Sequence, residues 1–106
     1  MAPTQLTIFY VTFDSDEKAK DMAKVLLSEK LIVCANVLSP MTSVYTWENK
    51  VNEDTEWPAL FKTSVEKASA LRSRIEELHD YDTPCIIELA LESVNTSYEN
   101  WALTQL

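Results

Sequence analysis

The chain has one histidine, His79, and carboxylates follow it closely at Asp80 and Asp82. An imidazole nitrogen with carboxylate oxygens is a donor set that copper(II) and other divalent cations accept. Asp14, at the end of the first apolar run, is a further oxygen donor that the fold argued below brings to the same end of the molecule. His79, Asp82 and Asp14 are therefore the candidate metal ligands, with Asp80 beside them. The plainer reading of His79 is a residue closing a helix, where the dipole favours partial positive charge. A single histidine with no cysteine beside it falls short of a preformed site.

Other groups that could do chemistry point elsewhere. Glu48, Lys50, Glu56 and Lys62 could act as acids and bases, but on neighbouring strands they read more simply as cross-strand or inter-subunit ion pairs. Tyr45, Trp47 and Trp57 could stack a ligand, yet large aromatics on an extended arm more often anchor a protein interface. Cys34 and Cys85 are the only cysteines, too few for a disulfide framework and in keeping with a reducing compartment. Their expected positions, at opposite ends and edges of one sheet, argue against an intrachain bridge, and each reads as a small buried apolar residue. No Ser/His/Asp or Cys/His arrangement stands out, and the absence of glycine argues against a phosphate loop. No catalytic residue is assigned, and the chain is not expected to be an enzyme.

The elements that must position these groups follow from pattern. Ile32 to Thr63 reads as one long β-ribbon, with β-branched Ile32, Val33, Val37 and Val44 and aromatic Tyr45, Trp47, Trp57 and Phe61. Alternation puts Ser43, Tyr45 and Trp47 on one face and Val44 and Thr46 on the other. Glu48-Asn49-Lys50-Val51 supplies the reversal, and Asn49 is the residue suited to positive φ. Pro40 and Pro58 each require an edge, bend or bulge. Thr7–Phe13, apolar on both faces, reads as a central strand. Asp14 with Glu17 should cap a helix whose stripe is Ala19, Met22, Ala23, Leu26 and Leu27. That helix should close at Lys30 and Leu31. Glu66 fits the cap of a second helix, with Ala68, Leu71, Ile75 and Leu78 inward. Cys85–Leu91 is a further strand, and Thr96 with Glu99 can cap a short terminal helix.

The order β-α-β-β-α-β plus a terminal helix is the α+β, ferredoxin-like arrangement. It implies an antiparallel sheet with both main helices on one face and a long ribbon between the second and third strands. The 106 residues make a single domain, 1–106. Such a chain cannot hide so long an aromatic arm and so much apolar sheet, so the surplus is expected to pair with another copy. The net charge of −8 argues against nucleic acid or an anionic membrane as partner. Leu6–Phe13 is too short and strand-like for a signal segment or a span, so a cytoplasmic protein is expected.

Several blocks occur together in one order: Cys34-Ala-Asn36, Ser43-Val-Tyr45-Thr-Trp47-Glu48-Asn-Lys50, Glu56, Lys62-Thr63, His79-Asp-Tyr81-Asp-Thr-Pro84 and Tyr98-Glu-Asn-Trp101. In these the chain resembles the CutA divalent-cation tolerance family from Thr7 to Leu103. The resemblance implies a homotrimer built through the ribbons, with Tyr45, Trp47 and Trp57 at its interface, and binding of copper(II) or another divalent cation. It departs from the family at Asn49, where glycine is usual, at Asp80, where proline is usual, and at Asp82 and Cys85, where glutamate is usual. The trimer plan is also similar to that of the nitrogen-signalling PII proteins. That likeness implies an alternative, a signalling or scaffolding module binding a small ligand in inter-subunit clefts near Glu56, Lys62 and Tyr81.

Overall fold

The structure, a computed structural model, describes residues 3–106. Strand β1, Leu6–Phe13, is central: β4, Lys50–Ser64, pairs with it on one side and β5, Ile86–Ala90, on the other. Strand β2, Cys34–Val37, pairs with the far side of β4, giving the order β2-β4-β1-β5 with every pairing antiparallel. Helices α1, Asp16–Ser28, and α2, Ala68–Leu78, cover one face. Helix α3, Thr96–Thr104, follows β5.

The expected ribbon exists, but its first arm is two strands rather than one. After β2 the chain leaves the ladder at Leu38–Pro40 and resumes as β3, Met41–Trp47, still paired with β4. Val37 opposes Ala59 and Met41 opposes Glu56, so Leu38, Ser39 and Pro40 stand against only Trp57 and Pro58. This is a bulge, and both prolines lie at it, as a residue without an N–H donor requires. The Pro58 carbonyl keeps one bond across it, accepting from the Leu38 N–H at 2.9 Å. The reversal is tighter than the four residues expected. Trp47 pairs directly with Lys50, leaving Glu48 and Asn49 at φ 52° and 64°. Two successive left-handed residues make the turn whose twist suits a two-residue hairpin.

Helix α1 starts one residue later than Asp14 would place it. Ser15 is the cap, its hydroxyl accepting the Lys18 N–H at 3.1 Å, while Asp14 is drawn instead to the Lys18 ammonium at 3.0 Å. The helix stops at Ser28, sooner than Lys30 and Leu31, because Lys30 turns left-handed at φ 58°. Leu27 then points to solvent, whereas Ala19, Met22, Ala23 and Leu26 are buried. Helix α2 begins without a side-chain cap, so Glu66 does not take that role.

Alternation along β1 and β4 sends Phe9, Val11, Phe13, Ala59 and Phe61 toward the helices, where they meet Leu26, Ile32, Leu71 and Ile75 in one core. Burying each large side chain there stabilises by about 1.5–3 kcal/mol. The other sheet face is covered only at one end. There α3 places Ala102, Tyr98 and Leu103 over Leu6, Val33 and Cys34. Glu99 fastens it by accepting the Thr4 hydroxyl and the Gln5 N–H, which holds its carboxyl below the usual range. The rest of this face is open, with Ile87 48% and Leu89 44% exposed. Beyond the bulge the β3–β4 arm exposes Val44, Tyr45, Trp47 and Val51, and the molecule measures 46 Å along its long axis. Among the described residues no helix is long and apolar enough to cross a membrane.

Candidate cation groove and open sheet face

His79 caps the C-terminus of α2, and its N–H donates to the Ile75 carbonyl at 2.9 Å. Its side chain is 1% exposed. Nδ1 accepts the Tyr81 N–H at 3.2 Å, so the ring proton sits on Nε2 and donates to the Thr12 carbonyl at 2.8 Å. Phe13 stacks on one side of the ring and Tyr81 meets it edge-on. Both ring nitrogens are therefore engaged, and a metal could reach one only by breaking a hydrogen bond. The imidazole closes the end of β1 against the turn after α2.

Tyr81 carries the geometry outward. Its hydroxyl donates to Glu56 Oε2 at 3.0 Å, tying the loop after α2 to the base of the arm. Burial, and then the Glu56 carboxylate, push its phenol well above the usual range. Past this contact a groove of about 610 Å³ opens between arm and sheet. Asp14, Asp54, Glu56 and Asp82 line it with Tyr45, Trp47 and Tyr81, and no lysine or arginine does. The Tyr45 hydroxyl donates to Asp54 across the hairpin, and that bond raises its phenol above the ordinary value. Cys85, at the groove wall, is raised by burial first and by Glu56 second.

The expected ligands are thus divided. Asp14 and Asp82 face the groove, while His79 lies beside a smaller pocket of about 240 Å³ with Phe13, Lys18, Leu78 and Asp80. Lys18 bridges Asp14 and Asp80, at 3.0 Å and 2.5 Å, and holds the Asp80 carboxyl below its ordinary range. Among the described residues no three His, Cys, Asp or Glu side chains gather closely enough to hold a metal ion. Among the described residues there is therefore no preformed metal site, and the groove offers chiefly carboxylate oxygens, which suit harder divalent cations.

The cleft candidates divide as well. Glu56 and Tyr81 are hydrogen-bonded, but Lys62 is six residues further along β4, about 20 Å away at the usual rise per residue. Its ammonium lies over the Tyr98 ring, 5.6 Å from the centroid. Of the aromatics expected at an interface, Tyr45 and Trp47 share the groove, whereas alternation along β4 sets Trp57 on the side of Ala59 and Phe61. Cys34 and Cys85 are both free and lie by the two opposite edge strands. Asp54 was not among the expected site residues. Counting back from a two-residue turn at Glu48-Asn49 puts it opposite Ser43, beside Tyr45, and would have found it.

Fold and groove together describe a small α+β protein whose antiparallel sheet is open on one face beside an acidic cleft. The family model for the CutA1 divalent ion tolerance protein matches residues 7–105. The chain belongs to that family. It is 40% identical over 96 residues to the divalent-cation tolerance protein CutA of Thermotoga maritima, covering 91% of this chain and 94% of the relative. The crystal structure of the divalent ion tolerance protein CutA1 from Ehrlichia chaffeensis superposes with a TM-score of 0.92 at 32% identity, over 98% of this chain and 97% of that one. The periplasmic divalent cation tolerance protein CutA from Archaeoglobus fulgidus superposes with a TM-score of 0.90 at 33% identity, over 94% and 97% of the two chains.

Proposed function

We propose that this chain has the ferredoxin-like plan and works as a cytoplasmic homotrimer that binds a divalent cation, copper(II) or another, in cation tolerance, without catalysing a reaction. The strand order β2-β4-β1-β5, with α1 and α2 on one face, supports the plan. Family membership supports cation tolerance, and two unbridged cysteines are in keeping with a reducing cytoplasm. The observation that carries the reading is the groove itself, four carboxylates and no base beside an arm with exposed aromatics. Asp82 and Asp14 are its first oxygen donors. His79 joins them only if its bond to Tyr81 or Thr12 opens.

Calorimetric titration with copper(II) tests the site. Asp82→Asn and Asp14→Asn should each weaken binding several-fold, and His79→Gln tells whether the imidazole takes part. Binding that none of the three alters would remove this site. The PII-like alternative, a small ligand near Glu56, Lys62 and Tyr81, has less support, because a single subunit keeps Lys62 apart from the other two.

A further inference from the structure

We propose that the smaller pocket, between α1 and the end of α2, binds a small amphiphilic amine: a compact aromatic body carrying one ammonium group. The pocket lies on the helix side of the sheet, away from the open face and the acidic groove. It therefore depends neither on the assembly nor on the cation site proposed above. Its origin is local. Lys18, Asp21, Met22 and Val25 recur along α1 at helical spacing, on a flank beside the buried stripe. Leu78 lines the same pocket, but α2 stops there, and His79 turns extended, at ψ 138°, toward the Thr12 carbonyl. The chain meets α1 again at the Asp80–Lys18 pair. The pocket is the gap between these two contacts.

Its floor fixes the body of the ligand. Phe13, Met22, Val25 and Leu78 are apolar, and both nitrogens of His79 are engaged elsewhere, so the imidazole offers the pocket no hydrogen bond. A floor without free donors or acceptors takes hydrocarbon, and the Phe13 ring and Met22 thioether favour an aromatic one. The volume of about 240 Å³ is below the ~300–1,000 Å³ of sites for drug-sized molecules, which limits the body to one ring or a fused pair.

Its rim fixes the charge. Lys18, Asp21 and Asp80 are the charged groups of the lining. The Lys18 ammonium is already satisfied by two carboxylates, Asp14 and Asp80. Asp21 makes no ion pair among the described residues. Other surface acids share that property, but Asp21 combines it with a place on the rim of an apolar pocket, directly before Met22. The rim thus keeps an excess of negative charge over a hydrocarbon floor. An ammonium at the mouth balances it, and a carboxylate there meets repulsion.

Phenethylamine is the probe and phenylacetate its control, one ring with opposite charges. Nuclear magnetic resonance of the whole chain reads the methyl groups of Met22, Val25 and Leu78 during titration. Phenethylamine should shift all three saturably, with a dissociation constant in the low millimolar range expected of so few atoms. Phenylacetate should bind about fivefold more weakly. Asp21→Asn should weaken phenethylamine about threefold and bring the two probes together. Val25→Phe, which fills the pocket from its wall, should abolish saturation, with circular dichroism reporting the fold. Should Val25→Phe lose the fold, Asp21→Asn decides, since that side chain is exposed. Shifts centred on Tyr45 and Trp47 would place the amine in the groove and overturn the site. Equal affinity of the parent for both probes would overturn the choice of an amine. No saturable shift up to about 20 mM phenethylamine would overturn both.

Discussion

His79 lies against Phe13, ring centroids 4.9 Å apart and planes 18° from parallel. Together with the bonds to the Thr12 carbonyl and the Tyr81 N–H, the stack joins the end of β1 to the loop after α2. Removing the ring leaves a cavity and two backbone groups without partners. His79→Ala should therefore destabilise the protein by about 2–4 kcal/mol. Guanidinium denaturation at fixed protein concentration measures it, and a loss under about 1 kcal/mol would show that the imidazole is not structural.

Acid should weaken the other side of the same loop. The Lys18 ammonium depresses the Asp80 carboxyl, so the folded state binds that proton less readily than the unfolded chain. Stability from this pair is present above the ordinary aspartate range, near pH 4, and is lost as pH falls through the lowered folded value. The Asp80→Asn variant lacks this dependence. Its denaturation midpoint should lie below the parent's at pH 7 and converge with it in acid, a small difference because the pair is exposed. Parallel midpoint curves across that range would contradict the assignment.

Most of the architecture was legible because period and chemistry agreed. Phe9, Val11 and Phe13 against Ile8 and Tyr10 marked β1 as a central strand, and α2's inward residues fell at helical spacing, although the face that Ile8 and Tyr10 share is only partly covered in this chain. What escaped depended on competition between neighbours. Ser15 outcompeted Asp14 as a cap because Lys18 draws the carboxylate away. The ribbon's first arm broke at Leu38–Pro40 because register across the bulge is a property of two strands, not one. Residue type and the expected topology together suggested that His79, Asp14 and Asp82 would gather. The partners of the two imidazole nitrogens, Thr12 and Tyr81, are backbone groups, which no side-chain pattern displays.

The hairpin tip should accept a better turn. Glu48 and Asn49 both sit at positive φ, and glutamate has no local advantage there. Replacing Glu48-Asn49 by Asn-Gly, the pair this turn favours, should stabilise the arm by about 1 kcal/mol. Slower amide exchange along β3 and the first half of β4 is the expected readout. Unchanged or faster exchange would mean that the backbone there is not under the strain those angles imply.

The proposed assembly turns on β5. Ile87 and Leu89 project from an edge strand onto the open face, about half exposed, while their neighbour Ile86 packs on the core. In an isolated subunit, replacing either with aspartate should change the fold's stability by only about 0.5 kcal/mol. If the face is closed by other copies, the same change removes a buried side chain worth about 1.5–3 kcal/mol and buries a charge in its place. The two cases separate cleanly in solution. The parent should scatter light as three chains of 12.1 kDa. Ile87→Asp and Leu89→Asp should scatter as one chain at micromolar concentration with the same far-ultraviolet dichroism. A trimer that survives both substitutions would move the contact off β5, with Tyr45 and Trp47, exposed on the groove side of the arm, as the next positions to replace.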